Sequence, residues 1–72
     1  MPQQRKTHII PRAPVARILL RAGAERVSKD AVSTFSEVLQ ELGEQIAQKA
    51  SRIARHSGRK TVHEEDIKLA AK

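Results

Sequence analysis

"KDAVSTFSEVLQELGEQIAQKASRIARH" fills residues 29–56 of a 72-residue chain, and its reading decides what the rest of the chain must do. Apolar side chains recur at Ala31, Val32, Phe35, Val38, Leu39, Leu42, Ile46, Ala50, Ile53 and Ala54, spaced to line one side of a helix, with no proline among them. Ser28 is a good N-cap, Asp30 suits the positive end of the helix dipole, and Gly58 closes the run. Gly43, in mid-helix, costs about 1 kcal/mol against alanine, which predicts a close backbone crossing there. At about 1.5 Å per residue this helix is roughly 42 Å long. A compact globule of this chain length has a radius of gyration of about 11 Å and is about 29 Å across. The helix outgrows its own globule, and two short helices cannot cover its apolar side. An antiparallel pair of long helices crossing near Gly43 removes the conflict, so the expected state is an obligate dimer.

Upstream, Pro14 fits the first turn of a helix over residues 14–22, where Val15, Ile18, Leu19 and Ala22 share a face and Gly23 is a natural stop. Residues 24–28 read as a loop with a strand-like turn at Arg26–Val27. Residues 1–10, mixing Gln, Arg, Lys and His, read as a flexible basic tail that adds phosphate contacts, with residues 11–72 forming the folded domain. Downstream, a third helix starts near 62–64, carries Ile67, Ala70 and Ala71 on its apolar side, and ends almost at Lys72. Thr61 with Glu64 has capping-box spacing, and His63 is an equally good cap.

Charge is segregated. The net charge is +6, yet residues 1–29 carry +6, residues 30–48 carry −4, residues 49–60 carry +5 and residues 61–72 carry −1. Two basic blocks around an acidic stretch suit a polyanionic partner. Phe35 is the only aromatic residue, which argues against single-stranded nucleic acid, whose binders stack bases on aromatic rings. Arg12, Arg21 and Lys29 in the first block are candidates for duplex contacts. There is no cysteine, and His8, His56 and His63 lack the close pairing of a metal site, so no metal or other cofactor is expected. Glu64, Glu65 and Asp66 resemble a catalytic or metal-binding acid cluster, but they stand where acids stabilise a helix N-terminus. No nucleophile–base set or phosphate-cradling glycine loop is present, so the chain is not read as an enzyme. No apolar run approaches the ~20 residues that cross a bilayer, and "MPQQRKTH" is no signal peptide, so no membrane partner is expected.

Short helix, long helix, short helix, with basic loops and a dimeric core, is the pattern of the histone fold. "APVARILLRAGAERVSKDAV", "ARHSGRKTV" and "EEDIKLA" resemble the corresponding segments of archaeal histones, and the likeness runs from about Pro11 to Ala71. The resemblance implies an all-α histone fold in an intertwined handshake dimer that binds, wraps and compacts double-stranded DNA largely without sequence preference. It implies a homodimer that assembles into tetramers or longer stacked oligomers, and a cytoplasmic, chromosome-associated protein. By the family pattern, Arg26 and Thr61 form a paired loop contact to DNA, joined by Arg17 and Lys60. Arg59 and Asp66 match a structural clamp. Ile53, His56, Asp66 and Leu69 match a dimer–dimer interface, and Gly23 matches the glycine that lets stacked dimers approach closely. Two departures are a longer basic segment before Pro11 and the lack of an extra basic turn after Ala70. The rival reading is a histone-fold subunit of a heterodimeric transcription factor or protein-interaction module, which would be unfolded or aggregated alone. A helix-turn-helix regulator fails on the length of the central helix.

Overall fold

The structure, a computed structural model, describes residues 9–72. It is all-α: α1 spans Arg12–Arg21, α2 spans Lys29–His56 and α3 spans Glu64–Ala70. Most of the expected tail, residues 1–10, lies outside the described residues.

Each boundary has a local cause. α1 begins two residues before the expected Pro14, because Pro11 takes the extended N-cap conformation (φ −63°, ψ 147°) and leaves Arg12 as the first helical residue. Pro14 still falls in the first turn, where an amide has no intrahelical acceptor to lose. The end of α1 comes at Arg21, one residue before the expected Ala22. There the Ala24 amide donates to the Leu19 carbonyl (3.2 Å) and the Gly23 amide to the Leu20 carbonyl (3.1 Å), with Gly23 at φ 118°. This left-handed residue after the last turn is the Schellman arrangement. The same device ends α2: Arg59 donates to Ala54 (3.0 Å) and Gly58 to Arg55 (2.9 Å), with Gly58 at φ 75°. At the start of α2 the Ser28 hydroxyl accepts the Ala31 amide at 3.0 Å, which makes it the N-cap. Residues 24–28 form a loop with no strand in it.

The chain divides into two compact units, Met1–Gln40 and Glu41–Lys72, with the division inside α2. In the first, Val15 of α1 and Val32 and Ser36 of α2 are buried. Two hydrogen bonds tie the start of the described chain to α2: Arg12 Nη2 donates to Ser33 Oγ (3.3 Å), and the Ile9 amide donates to Gln40 Oε1 (3.1 Å). In the second, the buried apolar residues are Ala50, Ala54 and Ala70, whose small size permits close approach of α3 to α2. Lys49 Nζ donates to the Ala70 carbonyl at 3.5 Å, placing a cation at the negative end of α3.

The apolar side of α2 is only partly covered. Val38 is 44% exposed and Leu42 50%, and Ile18 and Ile67 are exposed on the short helices. A single chain therefore buries less of the expected core than the sequence pattern supplies. At Gly43 an added Cβ would meet nothing within 4 Å, so no backbone of the described residues crosses there.

Candidate nucleic-acid interface

The second loop, residues 57–63, is organised around one carboxylate. Once the Gly58 turn has aimed Arg59 back along the chain, its guanidinium meets Asp66 in a two-pronged pair, Nη1 to Oδ2 at 2.8 Å and Nη2 to Oδ1 at 3.0 Å. Nη1 also donates to the Thr61 carbonyl at 3.2 Å. The His63 amide donates to Asp66 Oδ2 at 2.8 Å, so His63, not Thr61, caps α3. Asp66 is only 3% exposed. The Arg59 hydrogen bonds, seconded by the His63 amide, outweigh burial and pull its carboxyl from 3.8 down to about 2. The same hydrogen bonds raise the Arg59 guanidinium further above its ordinary value.

This frame separates the residues of "GRKT" by direction. Arg59 is consumed inside the loop, whereas Lys60 and Thr61 are exposed. The first acid of the cluster is also accounted for locally: Glu64 pairs with Lys68 at 3.0 Å, one turn along α3. Ile53 is half-buried on α2, His56 is exposed in its last turn, and Leu69 is 55% exposed on α3. Arg52, Arg55 and His56 line an open cavity of about 290 Å³.

In the first unit, Arg17 and Arg21 are both exposed, one turn apart on α1, and Arg26 is exposed in the loop. Arg12 is also exposed, although its guanidinium reaches Ser33. Lys29 opens α2 at the end where a cation is disfavoured by the helix dipole and an anion favoured. Arg26 belongs to the first unit, and Lys60 and Thr61 to the second. Gly23 combines its left-handed backbone with open space around the missing side chain.

Three features were not read from the sequence. Lys49 sits in the second basic block but serves the end of α3. Gln40 receives the Ile9 amide. The Ser36 hydroxyl is buried with no hydrogen-bond partner among the described residues. The first two pairs join residues 21 and 31 positions apart, so no local spacing rule could have found them. Ser36 carried a signal, since a serine standing on the packed side of a helix is a polar group among apolar ones.

Among the described residues no helix is long and apolar enough to cross a membrane. Residues 8–71 match the family model described as histone-like transcription factor (CBF/NF-Y) and archaeal histone. One subunit of the archaeal histone HAN1 from Thermococcus zilligii is 49% identical over 63 residues, which cover 88% of this chain and 94% of that protein. Probable archaeal histone 3 of Methanocaldococcus jannaschii is 49% identical over 61 residues, covering 85% of this chain and 91% of that protein.

Proposed function

This chain belongs to the family of histone-like transcription factors and archaeal histones, and from that premise we propose how it, a DNA-binding chromatin protein, takes hold of the duplex. The working unit is a dimer, in which the exposed Val38 and Leu42 of one α2 are covered by the other. Antiparallel pairing brings the first loop of one chain, with Arg26, beside the second loop of its partner, with Lys60 and Thr61. Two loop pairs then stand at the two ends of the dimer, and α1 contributes Arg12, Arg17 and Arg21 between them. The exposed N-terminus of α2, with Lys29, adds backbone amides facing phosphate.

Binding of this kind is carried by phosphate neutralisation and by arginine entering a narrowed minor groove, so it tolerates sequence. Histone octamers wrap DNA in nucleosomes by that strategy, without base-specific contacts, and the same logic supports wrapping here. In each second loop, Arg59 is spent on Asp66, which leaves Lys60 and Thr61 to act on DNA; that division of labour is the observation carrying the reading. A homodimer is the simplest assembly, and tetramers or longer stacks follow if Ile53, His56, Asp66 and Leu69 meet across dimers and Gly23 lets neighbours close up.

The test is a gel-shift series on random duplexes with matched thermal melts. Arg26→Ala weakens duplex binding and reduces bending, while stability stays within about 0.5 kcal/mol, as for an exposed loop residue. Arg26→Lys restores phosphate attraction without the planar fit of a guanidinium, and Thr61→Val gives a milder defect. An early melt for Arg26→Ala with unchanged affinity would reverse the assignment. A chain that is unfolded alone and folds only with a different histone-fold partner would favour the heterodimeric reading.

A further inference from the structure

Residues 49–60 carry five basic side chains and no acid. Lys49 donates to the Ala70 carbonyl, Arg59 is forked onto Asp66, and Lys60 stands exposed in the second loop. Arg52 and Arg55 remain. Both are exposed, and among the described residues neither side chain has an ion pair or a hydrogen bond. Arg52, Arg55 and His56 fall at i, i+3 and i+4, on one face of the last two turns of α2, and together they line the open cavity of about 290 Å³. An acid could answer the two arginines from three or four residues earlier on the helix, but those places hold Gln48, Lys49 and Ser51. Like charges at this spacing repel one another. The helix dipole explains Arg55 and His56, which stand in the last turn, but it fades within that turn and leaves Arg52 without a cause.

We propose that Arg52, Arg55 and His56 hold a small free oxyanion of the phosphate class, such as pyrophosphate, in this cavity. The two guanidiniums present planar forks of N–H donors that match phosphate oxygens, and the imidazole adds an N–H in either protonation state. An anion seated among them also removes the repulsion between the arginines. The cavity, about 290 Å³, falls just below the ~300–1,000 Å³ of pockets that enclose larger organic ligands. Its lining holds no aromatic ring on which a nucleobase could stack and no carboxylate that would repel an anion. A compact ion with many oxygens fits that description. A duplex is convex and is met best by cations on projecting loops, as Lys60 is, whereas a recess admits an ion that carries its charge in a small volume. The inference concerns the free protein and does not rest on the mode of DNA binding.

The test titrates pyrophosphate into the full chain by calorimetry, with ionic strength held constant by sodium chloride. It is run where sedimentation gives a single species, since His56 also belongs to the proposed contact between dimers. The parent chain binds saturably, and Arg52→Gln with Arg55→Gln weakens binding at least about tenfold. Lys68→Gln with Lys72→Gln removes the same charge from the same unit and changes binding less than about twofold. Both arginines are exposed, so the glutamine chain stays folded, as its melt without pyrophosphate will show. A second readout needs no variant: in the parent, pyrophosphate moves the guanidinium resonances of Arg52 and Arg55 and leaves those of Arg17 and Arg21 in place. The third is the slope of log affinity against log salt for random duplex, which the Arg52→Gln, Arg55→Gln chain keeps within about 0.5 of the parent. A fall in slope of about 1–2 would make duplex phosphate the occupant and overturn the proposal. No saturable binding by the parent, equal weakening in the two double variants, or resonance shifts spread evenly over the exposed arginines would each overturn it as well.

Discussion

Asp66 holds three donors on two oxygens, and its acidity follows from them. Its carboxyl titrates near 2 in the folded chain against an ordinary 3.8. A group whose value is lowered by folding adds stability above its unfolded value and loses it as pH falls through its folded value. The thermal midpoint should therefore decline between about pH 4 and pH 2, in the window set by those two values. Asp66→Asn should melt early at neutral pH and show a flatter profile across that window. Arg59→Ala should also melt early, because it strands a buried carboxylate, while a chain altered only at Lys60 keeps its stability. Ser36 predicts the opposite sign: Ser36→Ala removes a buried hydroxyl with no partner among the described residues and should raise stability by about 1 kcal/mol, read by denaturant melts. The sequence offered Thr61 and His63 as caps with equal merit, since both spacings fit. Only the position of Asp66, accepting the His63 amide and the Arg59 fork together, separates them. The Arg59–Asp66 pairing was legible through family likeness alone, because the partners stand seven positions apart across a turn and a helix start.

Helix α2 was legible almost to the residue, since its cap, its glycine stop and its apolar spacing agree. The ends of α1 were less so: Pro11 and Pro14 both suit a helix start, and the choice rests on the extended backbone at Pro11. Gly43 gives the element-scale prediction. Within one chain its missing side chain borders open space, so Gly43→Ala should gain about 1 kcal/mol from helix propensity alone. In a dimer whose long helices cross there, the added methyl meets the partner helix and the melting temperature falls instead. We expect the fall, measured by melts at two protein concentrations; a rise of about 1 kcal/mol would move the crossing elsewhere.

For the whole molecule, the length of α2 and the exposure of Val38 and Leu42 predict that folding and dimerisation are a single event. The melting midpoint should rise with protein concentration, and a folded monomer in sedimentation at micromolar concentration would contradict this. The expectation of a second chain could be drawn from the sequence because it follows from a length. Which chain it is could not, because an apolar strip accepts any partner of matching shape. The small size of the single-chain core has a further consequence. With Val15, Val32, Ala50, Ala54 and Ala70 as its buried apolar residues among those described, an unpaired chain should be cut by a protease faster than a paired one. Lifetime is then expected to lengthen with the chain's own concentration, because pairing removes the open form that a protease cuts.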